Sequence, residues 1–281
     1  MENEVLIRLG FFFGIFIIVA IWEAFSPRRV LTTSKPVRWL SNLGIIFIDS
    51  LAVRYLLPIP AIGLAMMAEN NGWGLLNNMD LPLWLSITAG VLTLDLIVYL
   101  QHVMFHSVPI LWRLHMMHHA DLDYDVTTGL RFHPLEILIS MAIKFSAIAA
   151  IGPSPFTVVL FEIILNAAAM FNHGNIRLPL GIDKVLRLLV VTPDMHRVHH
   201  SVTIRETNSN FGFNFPWWDR LFGTYRAQPV AGHEGMTIGL AQFRDAKKLT
   251  LPWMLALPFI GDTGSYSINK SGREPIKRES K

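Results

Sequence analysis

The chain has 281 residues, a net charge of +3, no cysteine, and 52% hydrophobic against 16% charged residues. A soluble domain carries about 25% charged residues, so a solvated globule is excluded, and the wealth of apolar residues excludes a disordered chain. The absence of cysteine excludes disulfides, thiolate zinc sites, iron–sulfur clusters and cysteine nucleophiles. Lys and Arg gather in short stretches, Arg28–Arg38 and Lys270–Lys281. That pattern flanks membranes and is no basic face for nucleic acid.

A spanning helix needs about 20 mostly apolar residues. Val5–Trp22 meets this, with Arg8 placed to snorkel, and no small-residue cleavage site follows it. Leu43–Ala68 is the second apolar stretch, interrupted by Pro58 and Pro60 and carrying Asp49 and Arg54. Leu83–Tyr99 is the third. Leu135–Ile151 and Pro155–Phe171 form a helical hairpin around Gly152-Pro153-Ser154-Pro155. Leu178–Val191 is too short to span and reads as re-entrant or interfacial, and Leu249–Ile260 reads as lying on the bilayer surface. The basic Arg28–Arg38 loop belongs on the cytoplasmic face, and counting passes brings every histidine cluster to that face. Lys144 and Glu162 stand nine residues either side of Pro153, at similar depth in the hairpin. A lone charge in the bilayer is costly, which favours their pairing as much as two separate wet sites.

Eleven histidines stand in this apolar chain. Three clusters hold eight of them: His102 and His106; His115, His118 and His119; His196, His199 and His200. Spacings of three and four residues put each cluster on one helix face. Crowded imidazoles repel when protonated and need partners when buried, and a metal meets both demands by taking the neutral lone pair. Eight such ligands exceed one ion and suit two. Imidazole accepts iron, zinc, copper or nickel, and two irons that bind dioxygen fit the ligand count and the lipid setting. Asp95, Tyr99, His102 and His106 form one stripe, so Asp95 is expected either to orient a ligand histidine or merely to solvate the helix interior. Asp121, Asp123 and Asp125 read as a solvated, helix-ending loop. Met104, Met116 and Met117 read as core or pocket lining.

These residues resemble the fatty acid hydroxylase/sterol desaturase superfamily of membrane di-iron oxygenases. The resemblance covers about Leu83–Arg226 and rests on an ordered set: His-x3-His, His-x-x-His-His, Phe-His-Pro at His133, Asn-His-Gly-Asn at His173, a second His-x-x-His-His, and Trp217-Trp218-Asp219-Arg220-Leu221-Phe222-Gly223-Thr224. It implies an all-α integral membrane protein of four to five membrane helices under a cytosolic helical cap that holds a histidine-ligated di-metal site. It implies two non-haem irons and dioxygen as co-substrate, hydroxylating or desaturating a lipid C–H bond, sterol-like or fatty acyl. The implied ligands are His102, His106, His115, His118, His119, His173, His196, His199 and His200. The last position goes to His133 or, through a water, to Asn175. His133 is alternatively a hydrogen-bonding support, and Asp194 and Asp219 are further carboxylates expected to temper the site. No catalytic residue beyond the metal ligands is expected.

Residues 1–82 are read as N-terminal membrane helices and 83–226 as the catalytic domain. Residues 227–281 are read as an interfacial segment with a flexible basic tail after Gly261. With no cysteine, haem segment or dinucleotide motif, the electrons must come from a separate reductase, cytochrome or ferredoxin. The competing readings are a membrane metal-binding or transport protein and a zinc-dependent lipid hydrolase.

Overall fold

A computed structural model describes residues 3–260 and 262–271. Among these residues the fold is helical, with only isolated bridges, Pro27 to Ile176 and Ser201 to Ile238. The long helices are α1 (Glu4–Phe25), α2 (Lys35–Leu56), α3 (Ala61–Asn70), α4 (Leu83–Ser107), α5 (Pro109–His119), α6 (Pro134–Ile151) and α7 (Pro155–Asn172). Two shorter ones follow, α8 (Leu180–Leu186) and α9 (Pro193–His199). Five helical segments are long and apolar enough to cross a membrane: α1, α2 with α3 taken together, α4, α6 and α7. The chain is a multi-pass membrane protein.

Local chemistry sets the boundaries. Pro58 and Pro60 cannot continue a helix and split α2 from α3. Ser154 caps α7 by accepting from the Thr157 amide, with Pro155 at the first helical position. Gly152 ends α6 at φ 68°, and a Cβ there would stand 2.5 Å from the Trp73 carbonyl oxygen, so no side chain fits between the hairpin turn and the loop before α4. On this side the Leu75 amide donates to the Ala150 carbonyl at 3.0 Å. At the other end of the bundle lie the C-termini of α1, α4 and α7, the N-termini of α2 and α6, and the cap. α7 touches α1, α3 and α4 and reaches the cap through α9.

Of the two arrangements open for Lys144 and Glu162, the cross-hairpin pair is the one present. Lys144 Nζ lies 2.8 Å from Glu162 Oε1. Arg8 does not snorkel: its Nη2 turns inward to Glu162 Oε2 at 3.0 Å while Nη1 meets Glu4 at 2.7 Å, because a carboxylate in a nonpolar bundle attracts the nearest guanidinium more strongly than distant water does.

The acidic loop departs from expectation. Asp121, Asp123 and Asp125 are buried, not solvated. Arg38 is also fully buried, and its guanidinium binds both Asp121 oxygens at 2.8 Å and Asp125 at 2.6 Å. Asp123 accepts from the amides and hydroxyls of Thr32 and Thr33. Burial would raise the Asp121 carboxyl, but Arg38 outweighs it and holds it down at about 2. The triplet thus clamps the start of α2 onto the cap.

The stretch after Gly261 is not loose where it is described. Tyr266 stacks on Trp112, with ring centroids 5.9 Å apart, and its hydroxyl donates to the Val202 carbonyl. The rest of the expected basic tail, from residue 272, lies outside the described residues. The helix Leu251–Ile260 buries Met254 and Leu257 and exposes Trp253, Phe259 and Ile260. α8 buries Asp183 and exposes Leu180, Ile182 and Val185.

Candidate metal centre

Four elements deliver imidazoles to one buried volume at the cap end of the bundle. α4 supplies His102 and His106 from its last turns, α5 supplies His115, His118 and His119, the end of α7 supplies His173, and α9 with its C-cap supplies His196, His199 and His200. Pro109 starts α5, and Thr192 with Pro193 starts α9, so both histidine helices begin where a proline and a turn force them to. The imidazoles form two groups, within each of which the potential ligand atoms lie within 4.8 Å of one another: His102, His106, His115, His119 and His199; and His118, His173, His196 and His200.

This partition differs from one face per cluster. The i,i+4 pairs stay together, while His118 leaves its cluster for the second group and His199 leaves its own for the first. Successive residues on a helix point about 100° apart. His118 and His119 therefore diverge to opposite sides of the face that carries them, and one short helix feeds two sites. α5 and α9 do this reciprocally.

The hydrogen bonds settle which nitrogens are available in six of the nine imidazoles. The Nδ1 atoms of His102, His118, His173 and His199 lie 2.7–3.1 Å from the backbone carbonyls of Phe211, Arg131, Ala169 and Ser209. A carbonyl only accepts, so each Nδ1 carries the proton and each Nε2 is a bare lone pair. His115 Nδ1 donates to Glu136 at 2.6 Å and His106 Nδ1 to the Asn208 side-chain oxygen at 3.1 Å. The Asn208 amide is oriented by its own bond to the Tyr266 carbonyl.

The bare nitrogens then face one another. His102 Nε2 lies 3.1 Å from His199 Nε2, and His118 Nε2 lies 3.2 Å from His173 Nε2. Two facing lone pairs at that distance repel unless a cation sits among them. Protons are a poor choice: burial lowers His115 and His173 to about 3, and burial with neighbouring imidazoles takes His118, His119, His196, His199 and His200 well below the ordinary value. The Nε2 atoms of His115, His196 and His200 are buried without any hydrogen-bond partner. Neutral donors of this kind, inward-facing and dry, fit metal ions. Phe132 stacks on His118 at 4.5 Å, and Phe211 and Trp112 pack against His106, which excludes water.

Three expected participants stand elsewhere. His133 caps α6, with Nδ1 accepting from the Leu135 amide at 3.2 Å and Nε2 3.3 Å from the Leu255 carbonyl; its position at a helix start leaves both nitrogens to backbone. Asp95 does not reach His102: it accepts from Trp218 Nε1 at 2.7 Å and so pins the Trp217–Leu221 turn to α4. Asn175 spends its side chain on the backbone of Arg29, at 2.8 and 2.9 Å, and ties the cap to the end of α1. Asp219 holds the Phe211 and Gly212 amides and so steadies the carbonyl that orients His102. Asp194 is engaged by Arg197 and Arg28.

Glu136 is the group that sequence reasoning passed over, although it stands inside the Phe-His-Pro-Leu-Glu segment; a lone carboxylate at the start of an apolar helix was its signal. The backbone carbonyls leave no trace in sequence. Gly129 approaches α7 so closely that a Cβ would stand 2.5 Å from the Ala169 carbonyl and 3.2 Å from His173 Nδ1. Below the histidines a cavity of about 420 Å³ extends between α2, α4, α6 and α7. Phe132, Glu136 and Phe213 line its upper end, and Lys144, Glu162 and Ala61 its lower end.

Comparison with known proteins agrees with this arrangement. The fatty acid hydroxylase family matches residues 87–224. An ornithine lipid hydroxylase of Rhizobium tropici is 31% identical over 150 residues, covering 53% of this chain and 44% of that protein. The alkylglycerol monooxygenase of Homo sapiens is 30% identical over 169 residues, covering 58% and 35%. A very-long-chain aldehyde decarbonylase of Oryza sativa subsp. indica is 29% identical over 158 residues, covering 54% and 58%. The chain thus spans less than two thirds of the length of each of these relatives. No solved structure matches. The matched segment, residues 87–224, holds α5, α7, α9 and all nine converging histidines, and this segment is a fatty acid hydroxylase family domain.

Proposed function

We propose that the chain is a membrane-bound di-iron oxygenase that hydroxylates or desaturates a lipid C–H bond. The observation that carries this reading is the convergence of bare, buried Nε2 atoms in two groups directly above a membrane cavity. The names of two relatives, a lipid hydroxylase and an alkylglycerol monooxygenase, support lipid as the substrate class.

His102, His106, His115, His119 and His199 would hold one iron, and His118, His173, His196 and His200 the other. When bound, the pair supplies reduction of dioxygen and removal of hydrogen from an unactivated C–H bond. The chain's own residues supply geometry. The carbonyls of Phe211, Arg131, Ala169 and Ser209 fix the imidazole tautomers, Glu136 orients His115, and the aromatic wall keeps water out. Hydroxylation takes one dioxygen, two electrons and two protons and yields an alcohol and a water; desaturation with the same inputs yields an alkene and two waters. The electrons come from a separate donor protein of reductase, cytochrome or ferredoxin type. The basic segment Arg28–Arg38 at the metal end supports a cytoplasmic face for it.

The test compares the protein with His118→Ala for bound metal and for the lipid profile of the cells producing it. Two irons per wild-type chain, reduced in the variant, with a lipid oxidation product only in the wild type, are expected. Identical metal content and lipid profile would overturn the assignment; zinc in place of iron, without oxygen consumption, would favour a hydrolase.

A further inference from the structure

Asp49 sits on the cavity face of α2. It is 5% exposed, and its Oδ1 has no hydrogen-bond partner. Each other charged group lining the cavity holds at least one partner. Arg8 and Lys144 share Glu162, and Glu136 gives Oε1 to His115 and keeps only Oε2 without a hydrogen bond, whereas among the described residues no hydrogen bond or ion pair engages Asp49. Of the nearby polar groups, Ser50 Oγ donates to the Ile46 carbonyl at 2.8 Å and Gln101 Nε2 donates to Ser140 at 2.8 Å. A carboxyl oxygen left unpaired in an apolar cavity is costly unless something that binds there completes it.

Depth constrains what that is. Asn42, on the same helix, meets Thr127 at 2.9 Å and Arg131 at 3.3 Å, at the level of the cap. Asp49 comes seven residues later, about 10 Å deeper along the helix. A charged headgroup held at the membrane surface does not reach this point. The cavity, at about 420 Å³, lies near the lower end of the range for small-molecule sites, a size for one chain or ring system. A hydroxyl both donates and accepts, so it satisfies the carboxyl in either protonation state, whereas a hydrocarbon leaves it bare.

We propose that Asp49 receives the hydroxyl group of a hydroxyl-bearing lipid and thereby sets which carbon of that lipid faces the histidines. This rests on the oxygenase reading and narrows its substrate class. The reacting carbon is then separated from the hydroxyl by the span between Asp49 and the cap.

Equilibrium binding tests it without turnover. Wild type, Asp49→Asn and Asp49→Leu, purified in detergent with metal content recorded, are loaded with radiolabelled dodecanol. Unlabelled dodecanol and dodecane then compete as a matched pair. Wild type is expected to favour the alcohol by about tenfold or more, a difference of about 1.4 kcal/mol. Asp49→Leu is expected to bring the two competitors within about twofold, and the near-isosteric Asp49→Asn, which keeps both hydrogen-bonding capacities, to fall between and to stand in if the leucine variant does not fold. An unchanged preference in the variants, or none in wild type, overturns the proposal. Iron-loaded protein without the preference sinks Asp49 alone; iron-free wild type that still prefers the alcohol sinks the oxygenase reading and leaves Asp49 standing.

Discussion

Replacing Arg38 by Met tests the clamp between α2 and the cap. The guanidinium makes three bonds of 2.6–2.8 Å to Asp121 and Asp125 and a fourth to Thr128 at 3.2 Å, all buried. Methionine keeps much of the volume and none of the donors. Asp125 would still accept from Trp39 Nε1 and from the Thr127 amide and hydroxyl. Asp121 would keep chiefly the Thr128 hydroxyl, so the penalty concentrates there. Removing one partner of a buried pair costs about 3–5 kcal/mol, which at about 2–4 °C per kcal/mol lowers the unfolding midpoint by about 6–20 °C. The pair sits beside the loop that carries the Arg131 carbonyl to His118, so loosening it also weakens metal retention by the second histidine group. The assay is thermal unfolding in detergent followed by circular dichroism, with metal content measured alongside. Adding Asp121→Asn to Arg38→Met removes the stranded charge and should recover a large part of the loss. A single variant within about 1 kcal/mol of wild type, or a double variant no better than the single, would refute the argument that Arg38 compensates buried carboxylates.

Two other outcomes follow from the site. His133→Ala should leave bound metal unchanged and lower stability by about 1 kcal/mol, the usual cost of a lost helix cap; metal loss equal to that of His118→Ala would restore His133 as a ligand. Burial, outweighing Asp194 3.6 Å away, lowers His233 to about 4. The unfolded chain therefore takes up this proton near pH 6.5 and the folded chain only near pH 4, so stability is lost as pH falls through that window, by about 3 kcal/mol in all. His233→Gln should flatten that part of the pH–stability curve, and a variant curve parallel to wild type between pH 6.5 and 4 would contradict the assignment.

Much of the architecture was legible because its signals are local. Apolar runs of spanning length, Pro58 and Pro60, and the Gly152-Pro153 turn located the spanning helices, although α2 begins eight residues before the apolar run at Leu43 and α4 continues eight residues beyond Tyr99. Symmetry about Pro153 put Lys144 and Glu162 at equal depth, which left pairing and two separate wet sites equally open; the structure decided for the pair. Arg8 was misread because its partner is 154 residues away. The three aspartates of the cap were misread for the same reason: Arg38, which buries two of them, is 83 residues from Asp121.

The histidine spacing by itself announced a metal centre and eight of its nine convergent side chains, because residues three and four apart on a helix share a face whatever the rest of the chain does; His173, a lone histidine, was added by the family resemblance. Only the tertiary structure divided the nine into groups of five and four, set His133 aside as a cap, and revealed Glu136, Asn208 and four backbone carbonyls as the groups that choose the tautomers of six of the nine. Spacing along a helix is a property of the chain. Which way a ring turns, and which nitrogen it offers, depends on acceptors brought from loops far away in sequence, and these meet the rings only when the bundle and its cap have closed.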